Sequence, residues 1–141
     1  MNRQVYLDHN ASTPVHPEVV AAMLPYFSER FGNPSSVHGF GRDAREGLET
    51  AREQVAHFLR VGKEEVVFTS GGTESDNMAV KGVAMARRQG HIITSRIEHH
   101  AVLRAVQTLE SQGFPATYLD VDGHGQVDPT RSGVRSGPTR S

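Results

Sequence analysis

The chain has 141 residues, a length that suits one domain able to bury a core. Its 15 Lys and Arg almost balance 16 Asp and Glu, so it carries no basic footprint for nucleic acid. It contains no cysteine, which excludes disulfides, thiolate metal sites and a thiol nucleophile supplied by this chain.

The opening segment, "MNRQVYLDHNASTP", lacks the apolar run of a signal peptide, and no stretch approaches the length needed to span a bilayer. A cytoplasmic protein without a membrane partner is expected. From Pro17, "PEVVAAMLPYFSERF" spaces Val19, Val20, Met23, Leu24 and Phe27 as one helical face, with a kink expected at Pro25. "GNPSSVHGFG" reads as a loop, and "RDAREGLETAREQVAHFLRV" as a second helix whose stripe is Leu48, Ala51, Val55, Phe58 and Leu59. Gly39 to Ala44 matches the loose dinucleotide pattern G-x-G-x-x-A. No strand precedes it, so these glycines read as the entry to the second helix.

"EEVVFTS", Glu64 to Ser70, reads as a strand, and "ESDNMAVKGVAMARRQG" continues it as a helix burying Met78, Ala79, Gly82, Val83 and Ala86. "HIITSRI" reads as a strand, "HHAVLRAVQTLESQG" as a helix and "PATYLDVD" as a strand. The order β-α-β-α-β implies an α/β fold with a mainly parallel sheet and flanking helices. Residues Thr130 to Ser141, "TRSGVRSGPTRS", hold one apolar side chain, Val134, and are expected to be disordered.

Two places carry chemistry. At "EVVFTSGGTESDN", a strand running through Gly71 and Gly72 into a helix would leave several backbone N–H groups aimed at one spot, which attracts anions. The Thr73 hydroxyl adds a donor. Against this, Thr73 to Asp76 also fits a capping box, and the carboxylates Glu74 and Asp76 repel an anion unless they point outward. Cradle and plain cap stand level on these residues alone. At "EHHAVL", His99 and His100 sit between a strand and a helix, on the edge where open α/β proteins place ligands. No second ligand cluster supports a metal there, which leaves a capping histidine or an imidazole lying against an aromatic ligand.

Taken together, "YLDHNASTP", "FGNPSSVHGFGR", "FTSGGTESDNMAVKG" and "IEHHAVL" resemble the cysteine desulfurases, pyridoxal-phosphate enzymes of the class V aminotransferase group, in particular the iron–sulfur assembly branch. The similarity runs from about Val5 to Asp128. It implies the N-terminal part of a type I pyridoxal-phosphate-dependent transferase large domain, a homodimer and a sulfur-accepting scaffold protein as partner. It further implies that Gly72 and Thr73 bind the cofactor phosphate and that His99 stacks on the pyridine ring, while Asn10 lies in a segment near the substrate. In the family reaction cysteine becomes alanine and its sulfur passes to an enzyme cysteine.

The resemblance places the lysine that holds the cofactor, the acidic partner of the pyridine nitrogen and the sulfur-accepting cysteine beyond this chain's last residue. Lys63 and Lys81, the two lysines present, do not match the family's Ser-x-His-Lys context. Residues 1–129 are therefore expected to be a portion of the family domain, 130–141 an aberrant tail, and the chain inactive alone, with no catalytic residue and no metal ligand of its own. The tail can be encoded so that another frame reads Pro-Val-Arg-Arg-Ala-Val-Arg-Pro-Asp-Thr-Val, a family-like continuation, which predicts a frameshift near Thr130. The alternatives are a phosphate-binding α/β module without covalent cofactor chemistry and a non-catalytic dimerisation partner of a full-length paralogue.

Overall fold

Pro25 divides the first helical stretch in the computed structural model, which describes residues 4–128. Helix α1 spans Pro17–Met23 and α2 spans Pro25–Ser28. Pro25 has no N–H to continue α1, but its fixed φ suits the first position of a new helix. The expected kink is thus a break. The tail from Thr130, with its expected disorder and frameshift, lies outside the described residues.

The chain divides into two compact units after Val67. The first also contains α3, Gly39–Leu59, and a 3-10 turn at Lys63–Glu65. Helix α3 starts three residues before the expected boundary because His38 caps it, its Nδ1 accepting from the N–H of Gly41 at 3.3 Å. Gly41, Ala44 and Ala56 are buried along α3, whereas Phe58 of the expected stripe is 83% exposed. The loop before α3 is held by arginines. Arg45 Nε donates to the Pro34 carbonyl at 2.7 Å, and Arg42 Nη1 to that of Val37 at 2.8 Å.

The second unit runs α4 (Gly72–Arg87), β1 (Ile92–Ser95), α5 (His100–Ser111) and β2 (Ala116–Leu119). Strands β1 and β2 pair in parallel, with Ile92 opposite Ala116 and Ser95 opposite Leu119, so β1, α5 and β2 form one βαβ unit. Ala101, Ala105, Val106 and Leu109 are buried on one face of α5, and Ala84 is buried on α4. Small side chains let the two packed helices approach closely. Met78 and Val83, expected inside, are 48% and 57% exposed, because α4 buries the side that carries Ala84.

The expected strand at Glu64 to Ser70 does not form. Glu65 turns its carboxylate back to the N–H of Gly62 at 2.7 Å, closing the 3-10 turn, and residues 66–69 belong to no sheet. A strand exists through its neighbour's hydrogen bonds, and the sheet of the described residues contains only β1 and β2. Both α3 and α4 end on an arginine in the left-handed conformation, Arg60 at φ 58° and Arg88 at φ 55°. No helix among the described residues is long and apolar enough to cross a membrane.

Candidate functional site

The turn that starts α4 is built from short polar side chains reaching back to the backbone. Gly71 is the N-cap, in extended conformation, and Gly72 is the first helical residue. Neither glycine has the left-handed backbone that the sequence allows them. A Cβ added at either would meet nothing within 4 Å, so what they leave is open approach to the peptide groups.

Thr73 is the second residue of the helix rather than its cap, so the expected Thr73 to Asp76 capping box does not form. The reach-back instead comes from Glu74. Its Oε2 accepts from both the N–H and the hydroxyl of Ser70, each at 2.7 Å. These bonds, the hydroxyl first and the amide second, hold the Glu74 carboxyl below its ordinary pKa. A second clasp lies on the other side of the turn. Thr69 Oγ1 and Ser75 Oγ are 2.7 Å apart, and both donate to the carbonyl of Gly71, at 3.2 and 3.3 Å.

After these bonds are counted, the N–H groups of Gly72, Thr73 and Glu74 have no acceptor among the described residues, and neither has the Thr73 hydroxyl. Three amides at the positive end of a 16-residue helix, with a hydroxyl beside them, make a donor set for a phosphate. Asn77, one turn on, is occupied elsewhere, its Nδ2 donating to the Thr73 carbonyl at 2.8 Å. The sequence points to Gly72 and Thr73 but gives Glu74 the opposite meaning. Its signal was the Ser-to-Glu spacing of four, which puts the carboxylate back over Ser70.

His99 is the N-cap of α5, with Nδ1 accepting from the Ala101 N–H at 3.1 Å. The ring is exposed, and its centroid lies 6.4 Å from that of His100. Capping occupies one nitrogen at the ring edge, while the side chain stays exposed. The capping role of His99 is thus the one present in the structure. Ser95 Oγ donates to Glu98 Oε1 at 3.1 Å just before this cap, tying the end of β1 to the start of α5. Among the described residues no group of three His, Asp or Glu side chains is arranged to hold a metal ion.

The remaining candidates lie in the first unit. Asn10 is exposed in a turn closed by the N–H groups of Ala11 and Ser12 on the Asp8 carbonyl, at 3.2 and 3.3 Å. The G-x-G-x-x-A pattern is packing rather than a nucleotide loop. Gly39 and Gly41 lie in the first turn of α3, and a Cβ at Gly41 would stand 2.3 Å from the Ser36 carbonyl oxygen. Lys63 Nζ donates to Glu53 Oε1 at 2.9 Å, and that bond raises its pKa, keeping the amine protonated.

Residues 5–135 match the aminotransferase class V family. The chain is 55% identical over 131 residues to the cysteine desulfurase IscS of Dictyoglomus turgidum, and 54% identical over 130 residues to that of Methanosarcina thermophila. These alignments cover 92% and 91% of the chain but 33% and 32% of the relatives, so it spans about a third of the length of the curated relatives it matches. Among solved structures, a NifS-like protein superposes with a TM-score of 0.81 at 43% identity, covering 89% of this chain and 35% of that one. SspA in complex with cysteine gives 0.73 at 45% identity, covering 80% and 33%.

Proposed function

Because the chain belongs to the aminotransferase class V family, with an α/β fold shared with cysteine desulfurases, we propose that it is a portion of a cysteine desulfurase that holds the phosphate and ring of pyridoxal phosphate. One observation carries this reading: the partnerless N–H groups of Gly72, Thr73 and Glu74 and the free Thr73 hydroxyl gather at one helix start, beside glycines with open space around them.

The residues present fit the phosphate end of the cofactor. Gly72 and Thr73 would donate to its oxygens, and the positive helix end would stabilise its charge. His99, its Nδ1 fixed by the Ala101 N–H, would hold the pyridine ring of the cofactor. Bound there, the cofactor supplies an electron sink for negative charge on a substrate carbon. For that chemistry this chain's part is binding and orientation. Its own lysines do not fit the covalent attachment. Lys63 is held by Glu53, and Lys81 lies about 12 Å along α4 from Thr73 at 1.5 Å per residue.

The family reaction, cysteine to alanine with sulfur passed to an enzyme cysteine for iron–sulfur assembly, needs a thiol that these 141 residues do not contain. The chain alone is therefore inactive, and it works in a homodimeric, cytoplasmic setting only where that lysine and thiol are supplied. Residues 1–129 are the part that takes the family fold. Calorimetry with pyridoxal phosphate, inorganic phosphate and pyridoxal tests the reading. Preference for pyridoxal phosphate over both fragments supports it. Equal affinity for phosphate and the intact cofactor supports the phosphate-binding module instead.

A further inference from the structure

Glu74 stands next to Thr73 in the first turn of α4, where a carboxylate near the ligand oxygens would oppose a phosphate. Its side chain is drawn back. Both bonds from Ser70 fall on a single oxygen, Oε2, at 2.7 Å, and one of them takes the Ser70 N–H. On the far side of the turn, Thr69 and Ser75 hold the Gly71 carbonyl. The peptide groups from Ser70 to Gly71 are thus pinned from both sides, and the next three amides are left free.

We propose that Glu74 is a positioning residue for the phosphate site: by clamping Ser70 it fixes the turn that presents the Gly72 and Thr73 amides. This rests on the reading of the turn as the cofactor phosphate site. The clamp makes a distinctive demand on substitutions. If Glu74 were a bystander charge, removing it by either Ala or Gln would tighten an anion. If it is a clamp, Glu74→Ala releases the turn and weakens binding, whereas Glu74→Gln keeps an acceptor oxygen for Ser70 and restores it. Ser70→Ala removes one of the two bonds with no change of charge, and so falls between.

The test is calorimetry on the full chain with pyridoxamine phosphate, whose amine forms no imine with Lys63 or Lys81, and with pyridoxamine as the phosphate-free control. The expected result is about a fivefold loss of pyridoxamine phosphate affinity in Glu74→Ala. Glu74→Gln should stay within about twofold of the parent. No variant should change the response to pyridoxamine. Circular dichroism accompanies each titration, and if Glu74→Ala loses helix content, Ser70→Ala alone decides, with weaker binding expected. Parent binding with equal or tighter affinity in both Glu74→Ala and Ser70→Ala overturns the clamp and leaves the phosphate site standing. No binding of pyridoxamine phosphate by the parent overturns the phosphate reading, and the clamp with it.

Discussion

His99 Nδ1 accepts the backbone N–H of Ala101 at 3.1 Å, so the imidazole proposed to lie on the cofactor ring is also the cap of α5. Accepting at Nδ1 requires a lone pair there, which puts the proton of the neutral ring on Nε2. Two roles in one side chain can be separated by substitution. Replacing His99 by Ala should lower stability by about 1 kcal/mol, as for a lost helix cap, and replacing it by Asn should restore most of that. Both should weaken pyridoxal phosphate to a similar degree, because Asn caps but offers no ring. Thermal melts and calorimetry read the two effects, and full affinity in the Asn variant would remove His99 from the ring.

Gly41 and Gly39 should respond oppositely to alanine. At Gly41 the new Cβ would press on backbone, 2.3 Å from the Ser36 carbonyl oxygen and 2.8 Å from that of Asn33, with no side chain able to swing aside. A loss of about 1–3 kcal/mol is expected, in the range of overpacked sites. At Gly39 the nearest atom is Arg42 Nη2 at 3.9 Å, and a gain of up to about 1 kcal/mol is expected from reduced chain entropy. Chemical denaturation of the two variants compares them directly. A Gly41→Ala protein as stable as the parent would contradict the packing seen at α3.

The Glu74 carboxyl should titrate below 4.5, its ordinary value, and move back towards it in Ser70→Ala. A carboxyl whose pKa is lower folded than unfolded adds stability above its unfolded value, and that contribution is lost as the pH falls through the folded value. The clamp therefore weakens only in acid, below the ordinary glutamate range. Following the side-chain carbon shift of Glu74 by NMR gives the answer, and an unchanged titration after Ser70→Ala would show that the hydroxyl is not its main cause.

Lys63 should be a poor target for aldehydes at neutral pH. Its bond to Glu53 Oε1 raises its pKa, and the amine reacts only once deprotonated. Treatment with pyridoxal phosphate followed by borohydride and peptide mapping should find little adduct there, and Glu53→Gln should increase it. The salt bridge is exposed, so the change is one of rate rather than of fold. Rapid, saturable labelling of Lys63 in the parent chain would contradict the statement that no lysine here fits covalent attachment.

The helices were legible because their apolar spacing, prolines and glycines act locally. Strands β1 and β2 also appear within the segments read for them. What the residues could not reveal was partnership. Val66 and Val67 are good strand formers, yet β-propensity is a statement about a pleated surface beside a neighbour, and the sheet of the described residues contains only β1 and β2. The same cause hid the buried face of α4. Met78 and Val83 fit an apolar stripe, but packing against α5 selects the small Ala84 instead. At the proposed site, Gly72, Thr73 and His99 can be named from the residues alone, whereas the cap at Gly71 and the bonds from Ser70 to Glu74 depend on which hydroxyl reaches which peptide group.

Arg60 and Arg88 stop their helices in a conformation that glycine adopts more easily, so something other than backbone ease must help hold these ends. Backbone hydrogen bonds supply it: the Arg60 N–H reaches the Ala56 and His57 carbonyls, the Val61 N–H that of Ala56, and the Arg88 N–H that of Ala84. Such support comes from peptide groups rather than from side-chain charge. Concentrated salt should therefore leave the carboxyl ends of α3 and α4 in place, because both are set by backbone hydrogen bonds rather than by charge.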